Sequence, residues 1–257
     1  MPQPLPSKTI GLPFIELQSV DSTNNYARQQ IHAGLAQHGM AVFTQEQLAG
    51  KGQRGKVWMT EKGANIILTV LINPHPLQLA QQFQLSACVA VAVHEFYMRY
   101  AGDDCKIKWP NDLYWQDRKA GGVLIESGVS SKESGVGAWG WSIIGIGINI
   151  NQTSFQPEIK NPVSLKQITG KNFNTVELAK ELCFVLDKWF GELIEKGFEN
   201  IYSTYLNNLY KRGKMVKLKK ENKIFEAMIK GVSPTGTLII QHGIQQEFVF
   251  GEVEWII

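Results

Sequence analysis

Hydrophobic positions recur along the chain with two periods, and the changes between them mark its elements. Residues 10–20 read as a strand, Asp21 to Ala33 as a helix, and Gly39 to Gln45 as a second strand. Residues 47–63 carry no period at all. Asn65 to Ile72 is an apolar, β-rich run, which predicts a buried strand. After Pro74-His75-Pro76, residues 77–99 are apolar nearly all round, the pattern of a long helix sandwiched in the core. Short strands are predicted at 105–109, 113–116 and 120–126, broken at Pro110-Asn111-Asp112 and at Asp117-Arg118. The most legible strand is 141–151. Asn174 opens a helix with Glu177 at capping-box spacing, its apolar face running through Leu178, Leu182, Leu186, Trp189 and Leu193. A further helix covers 199–210. Beyond Lys211-Arg212-Gly213 the chain turns to short alternating runs between turn residues, which predicts a small all-β barrel over 212–257, set apart from a larger domain over 1–211.

Composition narrows the class. Of 257 residues, 44% are hydrophobic and 19% charged, the profile of a soluble globular protein with an ample core. A net charge of +3 is too small to argue for nucleic acid or a membrane surface. Cys88, Cys105 and Cys183 form no CxxC, and the five histidines no HExxH, so neither a zinc site nor a disulfide framework is expected and a reducing cytoplasm fits. Met1 to Ser7 has three prolines and no signal-peptide core, and no apolar stretch reaches spanning length.

Four segments carry chemistry. In Gly50-Lys51-Gly52-Gln53-Arg54-Gly55-Lys56-Val57-Trp58, glycines let the backbone approach a ligand and three cations suit an anion, most naturally phosphate. Its GxGxxG spacing does not indicate a dinucleotide fold, because Val57 onward leads to a strand and not a helix. A solvated basic loop has the same composition. In Lys108-Trp109-Pro110-Asn111-Asp112, with Lys119 beyond, Asp112 reads as a metal-binding or proton-accepting carboxylate and Lys119 as a clamp on carbonyl or phosphate; an ordinary charged hairpin is the alternative. A two-residue turn at Asp117-Arg118 would hold Asp112 and Lys119 about 13 Å apart, serving different ends of a substrate. Gly121-Gly122 then marks either a bulge or a place where a ligand presses on backbone.

In the strand Ile144 to Asn151 the isoleucines share one face, while Gly145, Gly147, Asn149 and Asn151 share the other. That second face is a bare floor tipped with amides, suited to a flat ligand or to a closely packed helix. Asp21-Ser22-Thr23-Asn24, at a helix start, either caps the helix or hydrogen-bonds a small molecule. Together the segments supply the parts of a nucleotidyl-transfer site.

These motifs, in this order, strongly resemble those of the biotin–protein ligases, also called biotin–[acetyl-CoA-carboxylase] ligases, over about residues 14–257. The resemblance implies an α+β fold: a mixed sheet with helices, like the catalytic domain of class II aminoacyl-tRNA synthetases, followed by an SH3-like barrel. It implies ATP-dependent, AMP-forming activation of biotin and its transfer to a lysine of a biotin carboxyl carrier protein, the carrier domain of acetyl-CoA carboxylase.

By the same resemblance Ser22, Thr23, Asn24 and Gln47, with Lys51, Gly52, Gln53, Lys119, Gly121 and Gly122, would hold biotin. Gly50, Arg54, Gly55, Lys56, Trp58, Asn111 and Asn149 would lie on the nucleotide side, and Lys119, Asp112 and Arg54 would be catalytic. Mg²⁺ would ride on the phosphates, with Asp112 a candidate ligand.

Two features depart from the family pattern. Lys51 and Gln53 stand where family loops usually have arginine, and the short segment ahead of Ser22 leaves no room for the DNA-binding domain of ligase–repressors. A monofunctional cytoplasmic enzyme, monomer or homodimer, without nucleic-acid or membrane partners, is the expectation. A lipoate–protein ligase, a non-catalytic biotin-binding module and a DNA-binding repressor are the competing readings.

Overall fold

A computed structural model describes residues 9–127, 139–157 and 159–256; the proline-rich Met1 to Ser7 segment lies outside them. Seven strands form a mixed sheet: β1 (Phe14–Leu17), β2 (Ala41–Thr44), β3 (Asn65–Ile72), β4 (Cys105–Lys108), β5 (Asp112–Trp115), β6 (Arg118–Ser127) and β7 (Ser142–Asn149). Their order is β1-β2-β3-β7-β6-β5-β4, with β1 and β2 parallel and the other neighbours antiparallel. β3 is buried at every position because it is central and covered on both faces, which is why its sequence is apolar on both faces apart from Asn65 and Thr69.

Helices α1 (Thr23–His32), α2 (Gln82–Ala101), α3 (Leu165–Thr169), α4 (Thr175–Lys196) and α5 (Glu199–Asn207) complete the larger unit. On one face Ile66, Leu68, Val70, Ile144, Ile146 and Ile148 pack with α2 and α4 into the main core. On the other, Ala27 of α1 meets Leu71 and Ile143 in a smaller core. α2 is buried nearly all round, as its composition predicts. Asn174 caps α4 by accepting from the Val176 and Glu177 amides, without the reciprocal bond of a full capping box. The five-residue α3, absent from the sequence reading, does carry both bonds, through Ser164 and Gln167.

The C-terminal strands β8 (Met215–Lys220), β9 (Lys223–Val232), β10 (Leu238–His242), β11 (Ile244–Phe248) and β12 (Glu254–Ile256) form an antiparallel five-stranded sheet in the order β11-β10-β9-β8-β12, the unit expected to be SH3-like. It docks through Trp109, whose Nε1 donates to Gly236 O at 2.9 Å and whose ring meets Phe250 edge-on at 5.7 Å. No helix among the described residues is long and apolar enough to cross a membrane.

Candidate active site

The α1 face of the sheet becomes polar where α1 ends. One cross-strand row runs Ile67–Gly147–Gly122–Asp112–Lys108 through four adjoining strand pairs. Partners directly opposite share a face, so the row is a trough with glycine at its centre and charge at its end.

The hairpin β5–β6 corrects the expected separation of Asp112 and Lys119. Its turn is Gln116-Asp117, with Trp115 opposite Arg118, and the register shifts so that Tyr114 faces Lys119 while Leu113 faces Gly121. Ala120 is the extra residue of a bulge. Without it, Lys119 and Gly122 would point to opposite faces; with it, both lie on the Asp112 side. Lys119 Nζ and Asp112 Oδ2 are 2.7 Å apart, in a half-buried ion pair. A Cβ on Gly122 would come within 2.9 Å of Asp112 Oδ1 and 3.3 Å of Lys119 Nζ, so glycine leaves the space the pair occupies. The bulge is braced from outside: Lys119 N donates to Asn161 O, and Lys119 O accepts from Val163 N.

Asn149 contributes to that brace. Buried at the end of β7, it donates through Nδ2 to Val163 O (3.2 Å) and Lys119 O (3.4 Å). Asn151 is committed to the Phe173 backbone in both directions. The amides that tip the glycine floor therefore hold its edges in this state.

The floor itself is covered. A Cβ on Gly147 would fall 2.4 Å from the Trp58 ring, and one on Gly145 would fall 2.5 Å from Asn24 Oδ1. Trp58 thus lies on the trough, its Nε1 buried without a hydrogen-bond partner.

The glycine loop is a small hairpin in which Lys51 bridges Val57 and Gly52 N donates to Lys56 O, with one 3₁₀ turn at Gln53–Gly55 and no following helix. Gln53 fastens it to the sheet: Nε2 donates to Asn111 Oδ1 (2.8 Å) and Val123 O (2.9 Å). Asn111 Nδ2 in turn reaches Ser86 Oγ at 3.3 Å. Lys51 donates to Asn25 Oδ1 at 2.8 Å. Arg54, in the left-handed region at φ 56°, lies over Gly251 in the turn between β11 and β12, while Lys56 is exposed.

At the head of α1, Ser22 does not cap with its side chain. Thr23 donates from its backbone N to Gln47 Oε1 at 2.9 Å. Thr23, Asn24 and Ser22 are all buried, far more than capping requires. Asn24 Nδ2 donates to Glu126 Oε2 at 2.6 Å, and Glu126 Oε1 pairs with Arg28 at 3.0 Å. Glu126, Arg28 and the buried Thr69 are site residues that the motifs did not single out.

Lys108 is another. Its Nζ donates to Tyr114 OH at 3.3 Å and sits over the rings of Tyr114 and Trp255. Burial draws its pKa down to about 8, against an opposing pull from Asp112 and with help from Lys119 and Lys56. The site thus offers a poised lysine–carboxylate pair, a cationic hairpin loop and a buried row of amides and hydroxyls. That equipment suits acyl-adenylate chemistry.

Residues 16–149 match the biotin/lipoate A/B protein ligase family, and residues 212–255 match the biotin protein ligase C terminal domain. The chain is 30% identical over 232 residues to the biotin–[acetyl-CoA-carboxylase] ligase of Paracoccus denitrificans, covering 88% of this chain and 92% of that protein. It is 29% identical over 248 residues to the bifunctional ligase/repressor BirA of Bacillus spizizenii, covering 94% and 74%. Its fold is similar to that of the Aquifex aeolicus biotin protein ligase in complex with biotin and ATP, with a TM-score of 0.78, 28% identity and coverage of 94% and 97%.

Proposed function

The chain belongs to the biotin/lipoate A/B protein ligase family, and from that premise we propose which of its residues carry out the reaction. It is a biotin–protein ligase: ATP activates biotin as biotinyl-5′-adenylate with release of pyrophosphate, and biotin passes to a lysine of a carboxyl carrier protein with release of AMP. We assign catalysis to residues 1–211 and a supporting role to residues 212–257.

The observation that carries the assignment is the Lys119–Asp112 pair beside the glycine trough. In the first step Lys119 turns from Asp112 to the biotin carboxylate and the α-phosphate and offsets the charge that builds there. Arg54 and Lys56 add cations around the phosphates, where Gly50 and Gly55 let the loop backbone approach, and Lys51, Gly52 and Gln53 close the loop over biotin. Ser22, Thr23, Asn24 and Gln47 hold the ring system, and Gly121 and Gly122 the valeryl carboxylate end. Trp58, Asn111 and Asn149 border the nucleotide. For transfer, Asp112, freed of Lys119, takes the proton of the acceptor lysine.

Among the described residues no group of three or more His, Cys, Asp or Glu side chains could hold a metal. Mg²⁺ is proposed to arrive on the nucleotide's phosphates, and Asp112, paired with Lys119 and used as the base in transfer, is not assigned as its ligand. A cytoplasmic enzyme, monomer or homodimer, without nucleic-acid partners, completes the proposal. A lipoate-specific reading is disfavoured by the biotin-type C-terminal match.

The test is incubation with ATP, Mg²⁺, biotin and a carrier domain, read by mass, alongside biotin-dependent pyrophosphate exchange. A biotin-sized mass gain and exchange are expected. Exchange driven by lipoate and not by biotin would overturn the substrate assignment.

A further inference from the structure

Four polar side chains behind the ring site form one hydrogen-bonded chain. Thr69 Oγ1, wholly buried in β3, lies 2.7 Å from both Thr23 Oγ1 and Asn24 Oδ1, and Asn24 Nδ2 lies 2.6 Å from Glu126 Oε2. We propose that Glu126, which is remote from the ring itself, sets the direction of every proton in this chain and thereby fixes the pocket's choice of a cyclic urea. The proposal rests on the reading above that Thr23 and Gln47 face the biotin ring.

The direction follows from what each group can do. A carboxylate only accepts, and Arg28 occupies the other Glu126 oxygen. The Asn24 amide must therefore turn its NH₂ to Glu126 and its oxygen to Thr69. That oxygen accepts only, so the single Thr69 proton goes to it. Two oxygens at 2.7 Å need a proton between them, so the Thr23 hydroxyl donates to Thr69. The 3.1 Å contact from Thr23 Oγ1 to Gln47 Oε1 is left without that proton, and Gln47 Oε1 is satisfied by the Thr23 backbone N–H.

Two groups emerge with fixed sense. Thr23 Oγ1 has spent its proton and offers a lone pair. Gln47, its oxygen held, has only Nε2 left to offer, and that atom lies against Gly50, where a Cβ would come within 2.6 Å of it. An acceptor beside a donor is the complement of a ring urea, whose N–H donates and whose C=O accepts. The chain is also reversible. With glutamine at 126, its NH₂ can donate to Asn24, the amide can invert, Thr69 can donate to Thr23, and the Thr23 hydroxyl can point its proton outward.

The experiment compares biotin with cyclic carbamate analogues that carry oxygen in place of either ring N–H, measuring KM and kcat in pyrophosphate exchange. The native enzyme should favour biotin. Glu126→Gln should weaken biotin about ten-fold, the scale of one hydrogen bond turned from favourable to opposed, and should shrink or invert the preference over the carbamate that faces Thr23. A purely structural role would weaken both ligands alike, so an unchanged preference overturns the proposal. Should that variant not fold, Thr69→Val, which cuts the chain, must lose the preference, and Thr69→Ser must restore it. Thr23→Val separates the two layers: if it leaves biotin unaffected, the ring-site assignment has failed, and if it weakens biotin while Glu126→Gln keeps the native preference, only the relay has failed.

Discussion

Lys119 and Asp112 lie 2.7 Å apart because the Gln116-Asp117 turn sets Lys119 opposite Tyr114, on the face of β5 that Asp112 shares, and a bulge at Ala120 then brings Gly122 under the pair. The ammonium thus has a partner before any substrate arrives, and the carboxylate is screened until the ammonium leaves. One exchange of partners can serve both half-reactions in order, adenylate first and transfer second.

Removing each partner should therefore damage a different step. Lys119→Ala should lower the rate of biotin-dependent pyrophosphate exchange by on the order of 3–4 kcal/mol of barrier, as for loss of one oxyanion contact. Asp112→Asn should leave exchange comparatively intact and slow transfer from preformed adenylate about 100-fold, the scale of a lost general base. Single-turnover measurement of each step makes the comparison. Equal losses in both steps for both variants would separate the pair from the proposed order.

Gly122 tests the same pair without touching either member. In Gly122→Ala the new methyl would lie 2.9 Å from Asp112 Oδ1 and 3.3 Å from Lys119 Nζ, both ends of movable side chains. The pair should splay while the strand stays, so thermal unfolding should shift little and turnover should fall about ten-fold or more, as expected when a reacting group is misplaced. A large loss of stability with normal turnover of the folded fraction would contradict this.

These residues also show what a sequence can and cannot reveal. Asn65–Ile72 is legible to the residue because a central strand buried on both faces leaves, after Asn65, an apolar run that only Thr69 interrupts. The glycine face of β7 is legible through its period of two. The Asp112–Lys119 distance is not, because it hangs on the turn: one residue's displacement sets Lys119 opposite Tyr114, two residues from Asp112, and the long lysine side chain spans the rest. Thr69 and Glu126 are invisible for another reason. Each looks like an ordinary strand residue, and their connection to Asn24 spans 45 and 102 positions of chain. The turn was displaced by one residue, to Gln116-Asp117, because Gln116 takes a positive φ of 52° that its side chain does not advertise.

Lys108 gives a pH signature. Burial lowers its pKa from the ordinary 10.5 to about 8, so between those values the unfolded chain holds a proton that the folded one has released. Stability therefore rises with pH across that window on account of this group, and below about 8 the charged form burdens the fold. Lys108→Met, keeping the stem's bulk against Tyr114 and Trp255, should unfold at a higher temperature than the native protein at pH 7 and close the gap near pH 10. Titrating both proteins by thermal melt isolates Lys108 from the other lysines. A gap that widens with pH would refute the assignment.

Gln53 stands where family loops usually carry arginine, and it latches the loop to Asn111 Oδ1 and Val123 O with one neutral amide. Charge-assisted hydrogen bonds are roughly twice as strong as neutral ones, so an arginine there should hold the loop and the adenylate phosphate more firmly. Gln53→Arg is expected to slow release of biotinyl-adenylate about five- to ten-fold, equivalent to roughly 1 kcal/mol, and to leave its formation little changed. The opposing view is that Arg54 or Lys56 already supplies this charge. Arg54, however, lies over Gly251, and Lys56 is exposed, so neither is committed to the phosphate position in this state. Rapid dilution of preformed adenylate from both proteins, with Gln53→Ala as the variant lacking any latch, orders the three off-rates. Alanine fastest and arginine slowest is expected. An arginine variant that releases the intermediate as fast as the native protein would return the role to Arg54 and Lys56.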